Sequence, residues 1–158
     1  MLFRSALSGK AVRFALDTNI MAYAEGVDGE DMQQLATGCL AHLPDGSVCV
    51  PVQALAELHY VLIRKLRVTR GEAGRRINVW IKSYATLDTT TDILLDASAL
   101  SSLHQLQIFD AVILASAARN GCDILLSEDM HSGFVWQGCR VMNPFSAEFA
   151  TVRSQQFS

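Results

Sequence analysis

No two cysteines of the 158-residue sequence are spaced as CxxC and no two histidines as HxxxH, although there are four of each. A zinc site is therefore not expected. The scattered cysteines at 39, 49, 122 and 139 read as reduced, buried thiols. The first ten residues lack the apolar stretch of a signal peptide, and no segment approaches the length of a membrane span. Excess positive charge is missing too. The 13 Lys and Arg stand against 16 Asp and Glu, and the net charge of −3 argues against a general polyanion-binding protein. These absences lead to the expectation of a cytoplasmic protein with no membrane partner. What is present is a globular composition, 50% hydrophobic with a mean hydropathy of +0.21, long enough for one domain with a real core.

The order of elements points to the fold class. Phe14-Ala15-Leu16 is a short apolar run that ends in Asp17 and passes directly into a helix reaching about Ala24. A glycine-rich turn leads to a helix over 30–43, with Met32, Leu35, Ala36, Cys39, Leu40 and Leu43 at inward spacing. Pro44-Asp45-Gly46-Ser47 marks a turn before a strand at 48–50. Pro51 opens a helix over 52–66, whose stripe reads Val52, Leu55, Ala56, His59, Leu62, Ile63 and Leu66. Thr69 and Glu72 form a capping-box pattern for the next helix. A short edge strand at 85–87 precedes a helix over 91–103, with Ile93, Leu94, Ala97, Leu100 and Ser101 inward. A helix rich in small residues spans 108–119, and strands follow at 123–126 and 139–142. The expectation is an α/β fold: one domain over 13–145, with a central parallel sheet of about four or five strands flanked by helices on both faces. An N-terminal tail of 1–12 and a C-terminal tail of 146–158 complete the chain.

Two of these strands end in acids, Asp17 and Asp129, and two helices begin near acids, Glu57 and Asp110. In a doubly wound sheet the C-terminal ends of strands and the N-termini of the following helices share one edge, so all four carboxylates can converge. Each also has a structural reading: Asp17 as a helix N-cap, Glu57 as a solvated surface acid, Asp110 as a first-turn residue. Four acids with no basic neighbour in their motifs raise one another's pKa values. A hard divalent cation relieves that repulsion, and oxygen-only ligands select Mg2+ or Mn2+ over zinc. Such ions serve in-line displacement at phosphorus.

Leu16-Asp17-Thr18-Asn19-Ile20, Ala56-Glu57-Leu58, Phe109-Asp110-Ala111 and Leu126-Ser127-Glu128-Asp129-Met130 together resemble a PIN domain, and more closely a VapC-type toxin of a toxin-antitoxin system. The resemblance covers roughly residues 13–145. It implies a metal-dependent endoribonuclease, acting as a homodimer on single-stranded or looped RNA and neutralised by a cognate antitoxin. It assigns Asp17, Glu57, Asp110 and Asp129 as catalytic acids that bind Mg2+ or Mn2+. Asn19 and Ser127 would support the site by hydrogen bonding, and Thr18 would shape the turn. Water held by the metal would attack phosphorus, leaving a 3′-hydroxyl and a 5′-phosphate. Glu128, facing away from its neighbour Asp129, is left out of the ligand set. The extension before Phe14 is longer than is usual in the family.

The segment 64–82 holds seven of the thirteen basic residues against one acid, Glu72. It reads either as a solvated helical hairpin or as a phosphate-tracking surface with Arg64, Arg67, Arg70, Arg75 and Arg76 as RNA contacts. A phosphatase of the haloacid dehalogenase type would need a second Asp where Asn19 stands, and the lysines at 10, 65 and 82 fit a receiver domain poorly. A catalytically silent PIN-like binding module and a housekeeping RNA-processing nuclease both remain open, since fold does not fix function.

Overall fold

Phe14, Ala15 and Leu16 are all fully buried. Successive side chains of a strand point to opposite faces, so a strand buried at every position is covered on both sides. This strand, β1 (Phe14–Leu16), lies inside the sheet of the computed structural model, which describes residues 11–157. Its neighbours are β2 (Val48–Pro51) and β4 (Ile124–Leu126), both parallel to it. Beyond them lie β3 (Ala85–Leu87) on one side and β6 (Cys139–Met142), followed by β5 (Val135–Trp136), on the other. The sheet order is β3-β2-β1-β4-β6-β5, and only β5 runs antiparallel.

Six strands are thus present among the described residues, the additional one being β5. It forms a hairpin with β6 in which Trp136 pairs with Cys139 across Gln137-Gly138, with φ of 45° and 84°. Two positive φ values are what a two-residue hairpin turn of the primed type requires. Gln-Gly is a weaker signature of that turn than Asn-Gly, which is why the sequence did not announce it.

The helices are α1 (Thr18–Ala24), α2 (Glu30–Ala41), α3 (Val52–Leu66), α4 (Arg70–Ser83), α5 (Thr91–His104), α6 (Ile108–Arg119) and α7 (Ala147–Phe157). Thr69 caps α4 as the sequence suggested, its Oγ accepting the Glu72 N–H at 3.1 Å. Several inward assignments need correction. On α3 the buried residues are Ala54, Leu55, Leu58 and Leu62, while Ala56 is exposed. The helix packs against α1, α4 and α6, so its buried face is centred on residues the apolar pattern did not single out. Leu35 on α2 and Leu94 on α5 are half exposed. The buried face of α5 is the stripe Ile93, Ala97 and Leu100.

The segment expected as a C-terminal tail carries α7. Its Phe149 is buried and meets the Phe14 ring edge-on, with centroids 6.3 Å apart. Val152, one turn on, is buried as well, and these two apolar positions hold the helix against the core. Of the expected N-terminal tail, residues 1–10 lie outside the described residues, and Val12 is already in the core. No helix among the described residues is long and apolar enough to cross a membrane.

Candidate active site

Strand β1 ends by handing its backbone directly to α1. Asp17 N donates to Leu126 O at 2.9 Å, keeping the parallel ladder to β4, and its side chain then accepts from Thr18 N at 2.7 Å as the N-cap of α1. The capping reading of Asp17 is therefore correct in geometry. It uses one carboxylate oxygen. The other accepts from the fully buried Ser127 Oγ at 2.6 Å, with Asn19 Nδ2 3.5 Å away.

Around Asp17 opens a pocket of about 770 Å³. Glu57 from α3, Asp110 from the first turn of α6 and Asp129 from the loop after β4 all line it. All four acids singled out in the sequence are thus brought to one edge of the sheet. Thr18 Oγ1 lies 3.3 Å from Glu57 Oε2, a hydrogen bond between the first residue of α1 and α3. Glu57 is placed by the true buried face of α3: it sits three residues from Ala54 and one from Leu58, at the border of the buried stripe.

Glu128 is directed elsewhere. It accepts from the Tyr23 hydroxyl at 2.8 Å, and its own N–H reaches Asn19 Oδ1 at 3.4 Å. The Glu128 carboxylate beside it and the burial of the phenol raise the Tyr23 pKa, burial being the larger cause, so the tyrosine stays a neutral donor.

The electrostatics of the pocket are one-sided. Its lining includes five acids, the four above and Asp28, and among the described residues no Lys, Arg or His. Burial pushes the Asp17 carboxyl up to about 7, against the opposing hydrogen bonds from Ser127 and Thr18, with Asp110 and Glu57 adding to the rise. Burial also raises Glu57, where Asp110 contributes, and Asp110, where Asp129 contributes. A buried carboxylate facing other carboxylates, with only oxygen donors nearby, suits a hard cation such as Mg2+ or Mn2+. Among the described residues no three Asp, Glu, His or Cys side chains already stand close enough together to hold one ion. Mg2+ is commonly held by one or two carboxylates with waters completing its octahedron, so a preformed cage is not a requirement.

Asp28, Tyr23, Gln53, Tyr60 and Phe109 line the pocket without having been assigned to the site from the sequence, where Phe109 entered only as a motif neighbour of Asp110. For Asp28 a signal existed: it sits between Gly26 and Gly29 with a φ of 64°, in the turn that brings the chain back past α1.

None of the five candidate RNA-contacting arginines lines the pocket. Arg64 touches one lining residue, its guanidinium lying over the Tyr60 ring at 5.6 Å from the centroid. Arg75 pairs with Glu72 at 2.8 Å. Arg76 bridges Glu72 at 3.1 Å and Glu25 at 3.3 Å, and Glu25 also accepts from Trp80 Nε1 at 2.7 Å. This network joins the end of α1 to α4. Arg76→Glu sets a third acid beside Glu25 and Glu72 and is expected to lower stability by about 1 kcal/mol, measured by urea unfolding. Equal stability of the two proteins would make the network a solvated surface feature.

The PIN-domain family model matches residues 14–131. No curated protein matches the sequence. Among solved structures, the VapC20 toxin of Mycobacterium tuberculosis, a Sarcin-Ricin loop cleaving toxin, is similar with a TM-score of 0.63 at 19% identity, over 73% of this chain and 89% of its own. A toxin-antitoxin complex from Klebsiella pneumoniae gives 0.63 at 19% identity, covering 83% of this chain and 97% of that one. DNA-bound VapBC from Salmonella typhimurium gives 0.63 at 16%, covering 84% and 98%. At these identities the likeness is one of fold. With the family model matched from β1 to the loop beyond β4, the chain belongs to the PIN-domain family.

Proposed function

We propose that this PIN-domain protein is a Mg2+- or Mn2+-dependent endoribonuclease that cuts single-stranded or looped RNA, and that it is the toxin of a toxin-antitoxin pair. The observation that carries this reading is the pocket that Asp17, Glu57, Asp110 and Asp129 all line, without a basic residue in the described lining. These four acids are the metal-binding and catalytic groups. When bound, the ion lowers the pKa of water and offsets the charge that builds on the phosphoryl oxygens.

The chain's own residues orient that chemistry. Ser127 and the Thr18 N–H each hold one oxygen of Asp17, so its plane is fixed before anything binds. The Thr18 hydroxyl steadies Glu57, and Asn19 links Asp17 to the backbone of Glu128. The toxin assignment is supported by neighbours that are themselves VapC or toxin-antitoxin structures. A cognate antitoxin and a homodimer belong to this reading, as does a cytoplasmic setting, where such a nuclease meets its RNA.

The test is cleavage of a mixed-sequence single-stranded RNA and of its duplex by EDTA-stripped protein, with and without Mg2+ or Mn2+. Cutting of the single strand alone, only with metal, and 5′-phosphate ends by mass spectrometry are expected. Binding of RNA without cutting under any metal would refute the nuclease and leave a binding module.

A further inference from the structure

Two aromatic side chains at the acid pocket contribute little to the core. Tyr60 is 60% and Phe109 55% exposed, and both line the pocket with the carboxylates. Each belongs to a helix that also supplies an acid. Phe109 adjoins Asp110 in the first turn of α6, and Tyr60 lies one turn beyond Glu57 on α3. One exposed aromatic is ordinary. Two of them on the walls of one acidic pocket form a surface of different chemistry from the acids.

That chemistry answers a difficulty in the site. Five acids and a chain charge of −3 oppose a polyanion, and no cation stands in the described lining to attract one. Without a bound ion, phosphate attraction, the usual source of affinity for nucleic acid, is therefore weak in this pocket. A nucleobase is uncharged and has two π-faces, so it stacks on an aromatic ring without any net charge on the protein.

We propose that Tyr60 and Phe109 are a stacking clamp for the unpaired bases that flank the phosphate to be cut. The proposal rests on the nuclease reading above and adds the residues that select the substrate. In an A-form duplex the faces of each base are covered by its neighbours, so only bases in single strands, loops or bulges reach such a clamp. Arg64, lying over the Tyr60 ring, restrains that ring and brings one positive charge to the rim. Tyr60 and Phe109 are positioning residues: they hold the bases, and the acids act on the phosphate between them.

The test uses an eight-nucleotide RNA carrying 2-aminopurine, whose fluorescence is quenched by stacking, and the same RNA in a blunt duplex. Binding is titrated in EDTA, where metal-dependent turnover is stopped, and KM and kcat are then measured with Mg2+. The proteins are wild type, Tyr60→Leu, Phe109→Leu and the conservative Tyr60→Phe and Phe109→Tyr. Both side chains being exposed, all variants should melt as wild type does. Each Leu variant is expected to lose quenching and bind about five- to 150-fold more weakly, the range for loss of one base–aromatic stack. KM should rise with kcat little changed, and the conservative variants should match wild type. Leu variants that bind and quench like wild type while RNA is still cut overturn the clamp alone. Equal binding of duplex and single strand also overturns it. A wild-type protein that neither binds nor cuts RNA overturns the nuclease reading and the clamp with it.

Discussion

In the metal-free protein at pH 8, Asp17→Asn is expected to raise the free energy of unfolding by up to about 4 kcal/mol. The figure follows from a carboxyl whose pKa stands at about 7 in the fold against an ordinary 3.8. The folded state keeps this proton up to about pH 7, whereas the unfolded chain releases it near 3.8. Between those values the native state binds more protons, so stability falls as pH rises through the window. The contribution is complete below 3.8 and lost above about 7. Asn has no charge to desolvate. Its amide oxygen can accept the Thr18 N–H and its NH2 can donate to Ser127 Oγ, which already accepts from Met130 N at 3.1 Å. Urea titrations in EDTA at pH 5 and pH 8 check this, with a flatter pH dependence in the variant. Added Mn2+ should then stabilise wild type and not the variant, because only a native-state ligand raises stability. An Asn variant weaker than wild type at pH 8 would reduce Asp17 to a helix cap.

Asp110→Asn is expected to cut RNA at least about a thousandfold more slowly, the scale of several kcal/mol of charge stabilisation at phosphorus. The fold should survive. Gln107 occupies the N-cap position of α6 with no side-chain bond, so Asp110 is not its cap. Its favourable interaction with the helix dipole, about 0.3–1 kcal/mol, is opposed by burial and by Asp129, which both disfavour its charge. A thermal melt in EDTA alongside a gel-based cleavage assay separates the two effects. Cleavage within about tenfold of wild type, or a collapse of the melt, would remove Asp110 from the chemistry.

What the sequence revealed about the site followed from topology. Parallel strands put Asp17 and the Ser127–Asp129 loop at the same edge as the starts of α3 and α6, so four acids scattered over more than a hundred residues became neighbours. What stayed hidden depended on three-dimensional packing. Ala54 and Leu58, rather than Ala56 and His59, carry the buried face of α3, because that helix is contacted on several sides. The hydroxyl of Ser127 could be named, but not its reach of 2.6 Å to Asp17. Asp28 and Tyr60 reach the pocket through a left-handed turn and an exposed helix position, neither of which periodicity marks. Among the described residues, the segment carrying α7 has two buried apolar residues, Phe149 and Val152, too few to distinguish a docked helix from a tail.

Ser127 has one more consequence. Its N–H donates to Met142 O at 3.0 Å, its hydroxyl donates to Asp17, and the same oxygen accepts from Met130 N. One buried residue thereby pins the backbone around the exposed Asp129 to the ends of β1 and β6. Ordering a free loop would cost about 1–2 kcal/mol of conformational entropy per residue. Here the backbone is ordered in advance, and recruiting Asp129 requires only side-chain rotation, about 0.5–1.5 kcal/mol for each immobilised side chain. The same holds for Glu57 and Asp110, which ride on helices. Among the described residues no three of these carboxylates stand close enough to share one ion, and the entropy of drawing them together is confined to a few χ angles.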